Sequence, residues 1–432
     1  MLRWLYSATS YSIILSTFLS ISSAQNPEWL IYNTTNSGLP NNEVRSFAID
    51  SIGIKWVGTW YGLASYDGTS WIVYDTSNSG LPDYSIMSLA IDTSGNKWIG
   101  TYVGGLVCYD GTSWLVYDTS NSGLPDNIVL SIAVDRNEDK WIGTGSGLAY
   151  LSGNNWTVYN TSNSSLPSNI ILSIKIDSDG KKWVGTDGGG LASFDGTYWR
   201  IYNTANSGLP DNSILSIALD TNGNKWIGTA GGLAYLNGNN WIIYNNSNSG
   251  LPGNPISSVA IDGNGRKWIG IWGSGLASFD GANWTVYSES NSELPIDLVK
   301  LIEINGNGNK WIGTWSGIAI YNDGGVILGV DDSKINDIEA NYFHLNQNYP
   351  NPFNPITTIQ YELPQRSDVQ LTIYDLLGRK VTILVSKTQD AGYKSVPWNA
   401  TNGKGQPVSA GVYFFQIRVG DYLQTKKMVL LK

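Results

Sequence analysis

The sequence predicts an all-β chain: a seven-bladed β-propeller closed by an N-terminal outer strand, followed by a small Ig-like β-sandwich. Three observations carry this. The phrase Lys-Trp-(Ile/Val)-Gly-Thr recurs seven times, once ending in Ile271 instead of Thr, with Trp56, Trp98, Trp141, Trp183, Trp226, Trp268 and Trp311 spaced by 42 or 43 residues. Each repeat holds four short apolar runs separated by turn residues, the size of a propeller blade. The two ends of the array are complementary, each supplying what the other lacks.

Composition agrees with a turn-rich β protein. Charged residues are 14% of the chain, while Gly, Asn, Ser, Thr, Trp and Tyr are abundant. The formal net charge is −9, and an acidic surface repels phosphate backbones, so nucleic acid is not an expected partner. One cysteine, Cys108, excludes an internal disulfide and any multi-cysteine metal site. The single histidine, His344, lies outside the repeats.

Residues 1–24 place a basic Arg3 before an apolar stretch, Ser12 to Ile21, and then Ser22-Ser23-Ala24. This pattern predicts a secretory signal peptide cleaved near Ala24. Its apolar core is too short and too rich in Ser and Thr to span ~30 Å of hydrocarbon. No membrane span is expected in the mature chain.

Residues 25–323 are the expected propeller. In the first full blade the apolar runs are Val44–Asp50, Lys55–Thr59, Leu63–Tyr66 and Trp71–Asp75. Turn signals separate them: Ser-Ile-Gly-Ile, Tyr-Gly and Asp-Gly-Thr-Ser. A second tryptophan series keeps step, at Trp29, Trp71, Trp114, Trp156, Trp199, Trp241 and Trp284, each followed three residues later by Tyr. The array opens at an outer strand, Trp29–Asn33, and ends at Gly317–Tyr321 without one. Pairing these ends closes the ring and leaves no sheet edge open. Asp50 and Lys55 flank a tight turn and are expected to pair across the strands, as are the equivalent pairs up to Asp262/Lys267. Asn305 breaks the series. The Asn-Ser-x-Leu-Pro loops occur in all seven repeats, which argues for packing.

The repeat core, seen as Trp98-Ile99-Gly100-Thr101 with Gly105-Leu106 after an Asp92–Gly95 turn, resembles the two-component-regulator propeller repeat. The resemblance runs from Trp29 to about Tyr321. It implies an extracellular sensing or binding module, because such propellers are often fused to histidine kinases and some respond to glycans. These 432 residues hold no kinase segment, so a binding role is what carries over.

Binding residues are sought where the blades differ. The turn after Gly-Thr varies most and is aromatic in blades 1, 2, 6 and 7: Trp60 and Tyr61, Tyr102, Trp272, and Trp315. Ring closure makes these four blades contiguous. At the start of the inner strand, blade 1 has Arg45 and blade 7 has Lys300, where the others have Met87, Leu130, Leu172, Leu215 and Ser257. The expected ligand-binding set is therefore Trp60, Tyr61, Tyr102, Trp272, Trp315, Arg45 and Lys300. Flat rings beside hydrogen-bonding groups suit carbohydrate binding, and the same array suits a peptide. Rings that merely cover neighbouring loops would look the same in sequence.

Catalysis is not expected. General acid–base chemistry needs a positioned titratable group, and the propeller lacks His. Acids that break the repeat are few: Glu43, Asp187, Glu289, Glu293 and Glu303. Glycosidases need a carboxylate pair. No nucleophile elbow, phosphate loop or metal-ligand cluster is present, so no cofactor is expected.

Residues 324–344 lack periodicity and read as a linker. Residues 345–432 alternate strand-like runs with turns, which predicts the β-sandwich. Tyr349–Pro355 (YPNPFNP), Ile373–Val381 (IYDLLGRKV), Ser409–Ile417 (SAGVYFFQI) and Lys426–Lys432 (KKMVLLK) resemble the type IX secretion C-terminal sorting domain. That resemblance implies a Gram-negative bacterium and export across its outer membrane, with the type IX machinery as a partner. It also implies a secreted or surface-displayed product.

Overall fold

The computed structural model describes residues 27–326, 328, 344, 345, 348, 351–363, 366–390, 392–420 and 422–431. The expected signal peptide, most of the expected linker, and Tyr349, Pro350 and Lys432 of the tail motifs lie outside the described residues.

Seven four-stranded antiparallel sheets follow one another along residues 29–321. The inner strand of blade 1 is Val44–Ile49, the second Lys55–Thr59, the third Gly62–Tyr66 and the outer Trp71–Tyr74. Blade 7 takes three strands from the end of the array and its outer strand, Trp29–Tyr32, from the beginning. The register is Trp29 opposite Tyr321, Leu30 opposite Ile320, Ile31 opposite Ala319 and Tyr32 opposite Ile318. The ring thus closes as the complementary ends predict.

Blades are held together at three radii. At the inner radius, the glycine of each Lys-Trp-x-Gly-Thr phrase admits the first residue of the next inner strand. A Cβ on Gly58 would lie 2.5 Å from Ile86 Cγ2, and one on Gly100 would lie 2.6 Å from Val129 Cγ1 and 2.8 Å from Val129 O. At Gly100 the obstacle includes backbone, which cannot rotate away. Gly100→Ala is therefore expected to cost about 1–3 kcal/mol or more, read as a lower urea midpoint at unchanged m-value. A midpoint equal to wild type would contradict this packing.

At the middle radius sit the motif tryptophans, all buried. Here the structure corrects the expected Asp–Lys pairing. Lys55 stands opposite Ile49, not Asp50. The Asp50 carboxylate folds back into its own turn and accepts hydrogen bonds from Ile54 N at 2.8 Å and Trp56 Nε1 at 3.2 Å. The lysine instead reaches across to the preceding blade. Lys97 Nζ lies 3.9 Å from Asp50 and 4.9 Å from the centre of the Trp56 ring; Lys140 Nζ lies 3.5 Å from Asp92 and 4.6 Å from that of Trp98. The lysine-over-tryptophan contact repeats around the circle and closes it with Lys55 over Trp311, at 5.9 Å. The pairs expected within blades are thus contacts between blades. Two motif indoles have no hydrogen-bond partner among the described residues: Trp311 Nε1, whose turn carries Asn305, and Trp226 Nε1, whose turn keeps Asp220.

At the outer radius, the tyrosine ending each outer strand meets the outer tryptophan of the next blade. Ring centroids lie 5.5 to 5.9 Å apart at all seven junctions, from Tyr32–Trp71 round to Tyr287–Trp29. These outer tryptophans are half-buried, so the deep core belongs to the motif series alone. The Asn-Ser-x-Leu-Pro loops bury their leucines, from Leu39 to Leu294, as packing requires.

The C-terminal region is a two-sheet β-sandwich. One sheet orders His344–Leu345, Thr357–Leu363 and Gly392–Trp398; the other orders Lys380–Gln389, Ser367–Asp375, Gly411–Val419 and Tyr422–Leu430. Phe353, Tyr361, Trp398, Phe415 and Met428 fill the space between them. The two-residue strand at His344 is too short to show a period in sequence.

Candidate functional site

The variable turns between second and third strands are clamped from below. Thr59 Oγ1 donates to Gly62 O at 2.9 Å, Thr101 Oγ1 to Gly105 O at 2.8 Å, and Thr314 Oγ1 to Gly317 O at 2.8 Å. Blade 6 has Ile271 here and does without the clamp. Each turn is also stitched to the loop that leads into an inner strand. Trp60 N donates to Glu43 O at 3.1 Å, Tyr102 N to Ser85 O at 3.0 Å and Trp272 N to Pro255 O at 2.9 Å. The glycine after the turn bonds to the lead-in loop of the next blade, as Gly62 N does to Tyr84 O and Gly317 N to Asn42 O. Gly62 and Gly317 hold φ values of 120° and 117°, open to glycine alone at little cost. Rim turns and lead-in loops therefore form one face, with side chains fixed by a rigid backbone.

On that face six of the seven expected residues fall into two groups. In blades 1 and 2, Trp60 and Tyr102 have centroids 5.5 Å apart, and the Arg45 guanidinium lies 3.9 Å over the Trp60 ring. Arg45 Nη2 pairs with Glu43 Oε1, Nη1 lies 3.6 Å from Met87 Sδ, and Nε is buried without a partner among the described residues. In blades 6 and 7, Trp272 and Trp315 meet edge to face at 5.3 Å, and Lys300 Nζ lies 5.8 Å from the Trp272 ring. Burial, and after it the charge on Arg45, push the Lys300 ammonium below the ordinary lysine range, with Glu43 pulling the other way. Lys300 and Arg45 thus share one electrostatic neighbourhood, which joins the two groups. Tyr102, Trp272 and Trp315 remain 42%, 37% and 43% exposed.

Tyr61 faces elsewhere. It stacks on Tyr84, at 5.1 Å and 10° between planes, and both rings are about half exposed. Sequence reasoning missed Tyr84, although the signal was present. The other repeats carry Asn or Asp at this position, and six of those side chains accept a backbone N–H eight residues back, as Asn42 does from Thr34. Only blade 2 gives up that bond for an aromatic ring.

The second residue of each inner strand rings one mouth of the central channel. Blades 2 to 5 supply Met87, Leu130, Leu172 and Leu215; blades 6, 7 and 1 supply Ser257, Lys300 and Arg45. One half of the mouth is apolar and the other polar. The channel encloses about 450 Å³. Glu303 is the only acid among its lining residues. Asp187 in the blade 4 turn accepts a hydrogen bond from Ser213. Burial pushes the Cys108 thiol up to about 11, as for a packed strand residue.

Comparison with known families matches residues 347–431 to the secretion system C-terminal sorting domain and residues 208–231 to the two component regulator propeller. The chain joins a two component regulator propeller to a secretion system C-terminal sorting domain. The sorting domain marks the protein for type IX secretion, to the cell surface or beyond it. Among solved structures, the propeller–sandwich chain resembles the extracellular domain of the putative hybrid two component system BT3049 from B. thetaiotaomicron. The identity is 21% and the TM-score 0.62, over 94% of this chain and 57% of that one. It also resembles PorZ, a surface component of the type IX secretion system of Porphyromonas gingivalis, at 18% identity and a TM-score of 0.56, over 93% of this chain and 61% of that one. Virginiamycin B lyase from Staphylococcus aureus is similar at 12% identity and a TM-score of 0.55, over 68% of this chain and 98% of that one. The chain thus spans little more than half the length of the first two proteins. At these identities the likeness is one of fold. No curated protein matches the chain.

Proposed function

We propose that this exported propeller is a non-catalytic binding module that holds a glycan on the rim of blades 6, 7, 1 and 2. The observation that carries the reading is the confinement of exposed rings and two cations to one sector of one face. Elsewhere the same positions hold Gly, Ser, Ala, Asp, Leu or Met. Aromatic planes cover the apolar faces of sugar rings, while fixed hydrogen-bonding groups between them set register. Rigid turns suit this role, because little side-chain freedom is lost on binding. A peptide with apolar and acidic side chains is the alternative occupant of the same surface.

The non-catalytic reading rests on the channel and rim chemistry. Acid–base cleavage calls for two positioned titratable groups. The channel lining offers Glu303 alone as an acid, and the rim acid Glu43 is held by Arg45. The likeness to a lyase is in fold, and function follows the site.

The test is a screen of the purified protein on arrayed polysaccharides and glycoproteins, repeated with Trp60→Ala and Trp315→Ala. Each substitution is expected to weaken a hit about tenfold or more, with the melting temperature within a few degrees of wild type. A hit that survives both replacements would move the site off this rim. Absence of any hit with an intact fold would favour a structural surface role.

A further inference from the structure

The geometry points to a carboxylate-bearing saccharide, not a neutral one, as the ligand of the sector between blades 7 and 1. The inference rests on the glycan reading and narrows it. Glu43 is already committed to Arg45 Nη2. Among the described residues, no carboxylate stands within ion-pair distance of the Lys300 ammonium, which faces the Arg45 guanidinium, Glu43 and the Trp272 ring. Arg45 and Lys300 thus stand with Glu43 as the acid that acts on them, while the lead-in-loop acids Asp83 and Asp297 of blades 2 and 7 accept backbone N–H groups, in a chain whose net charge is −9. The Arg45 guanidinium lies over the Trp60 ring, and its Nε is buried without an acceptor among the described residues.

Two like charges brought together on a folded rim are an unfavourable arrangement that an anion relieves. Burial and the Arg45 charge depress Lys300, and an anion beside it would restore its proton affinity. A carboxylate also supplies two oxygens, one for the ammonium and one for the guanidinium edge. The exposed rings of Tyr102 and Trp315, in blades 2 and 7, flank the cations and offer faces to the sugar rings that carry the acid. A lone inorganic anion would leave those rings unused. The apolar half of the channel mouth, from Met87 to Leu215, offers no counterpart.

The test uses polymers whose carboxylates are either free or esterified. The full chain is titrated with polygalacturonate and with its methyl ester, and with alginate and its propylene glycol ester. At least one acid form is expected to bind about tenfold or more tightly than its ester, the scale of one charge-assisted hydrogen bond. In the double variant R45Q/K300Q the acid-to-ester ratio is expected to fall towards one. Lys175→Gln, at the opposite end of the channel, should keep the ratio, which separates a local site from overall charge. Esters that bind as tightly as the acids would overturn the inference while leaving the glycan reading in place, as would an acid preference that survives R45Q/K300Q. No binding by acids or esters would remove the inference and count against the glycan reading together.

Discussion

A chain lacking residues 27–35 is expected to lose the cooperative melting of its propeller and to associate through the open edge of blade 7. The physical reason is that Trp29–Tyr32 is the fourth strand of that blade although Trp29 lies more than 290 residues from its partner Tyr321 in sequence. Its loss removes a four-residue ladder and leaves the outer edge of Gly317–Tyr321 unpaired, a template for other chains. Rings go with it. Trp29 lies 4.6 Å from Tyr321 and 5.9 Å from Tyr287, and Tyr32 lies 5.5 Å from both Tyr66 and Trp71. The Tyr32 and Tyr66 hydroxyls are 3.0 Å apart. Four half-buried apolar side chains at about 1–2 kcal/mol each come to roughly 6 kcal/mol, comparable with the whole stability of many domains. Calorimetry and light scattering on the truncated chain check this, and a synthetic peptide of residues 27–35 in excess should restore part of the lost melting temperature by mass action. A truncated chain that stays monomeric and melts like wild type would show that the strand does not close the ring.

Asp50→Ala is expected to destabilise the propeller by about 3–5 kcal/mol, the scale for stripping a buried charge of its partner. Asp50 is buried at 5% exposure. It caps its own turn through Ile52 N and Ile54 N, accepts the Trp56 indole N–H, and faces the Lys97 ammonium from the next blade. Burial already pushes Lys97 below the ordinary lysine range, against the opposing pull of Asp50, Asp92 and Asp110. Removing Asp50 leaves that ammonium with weaker compensation and Trp56 Nε1 without an acceptor. Asp50→Asn should cost less, because an amide oxygen can still cap the turn. Asp50→Asn combined with Lys97→Met should cost less than the sum of the two single changes, since the two side chains act together. Equilibrium urea denaturation of Asp50→Ala, of the two single changes and of the double variant measures these effects. A loss below about 1 kcal/mol for Asp50→Ala would mean that the inter-blade ion pair contributes as little as an exposed one.

Much of this architecture could be read from the chain. A fixed period with four apolar runs allows few folds, and the number of Lys-Trp-x-Gly-Thr phrases sets the number of blades. The closing strand was legible because an unpaired outer strand at one end and a missing one at the other have a single economical solution. The sorting domain was legible through its motifs, which its sequence carries locally. Residues that break the repeat pointed to the rim, since a strict repeat makes each departure visible.

Other features needed the tertiary structure. Asp50 and Lys55 are close in sequence, yet the lysine of each phrase turns to the blade before its own. Strand twist and the wedge between blades decide that direction, and neither is written in one repeat. The rim residues were identifiable one by one, but their partners were not. Arg45 lies on Trp60 while also holding Glu43, Lys300 comes under the influence of Arg45 from a blade more than 250 residues later, and Tyr61 turns away to Tyr84. Sequence therefore determined the blades, their closure and the export domain, because these follow from local period and motif. The neighbours of each functional side chain were decided only when the ring closed, because closure brings the first and last blades together and sets which charges share one patch of surface.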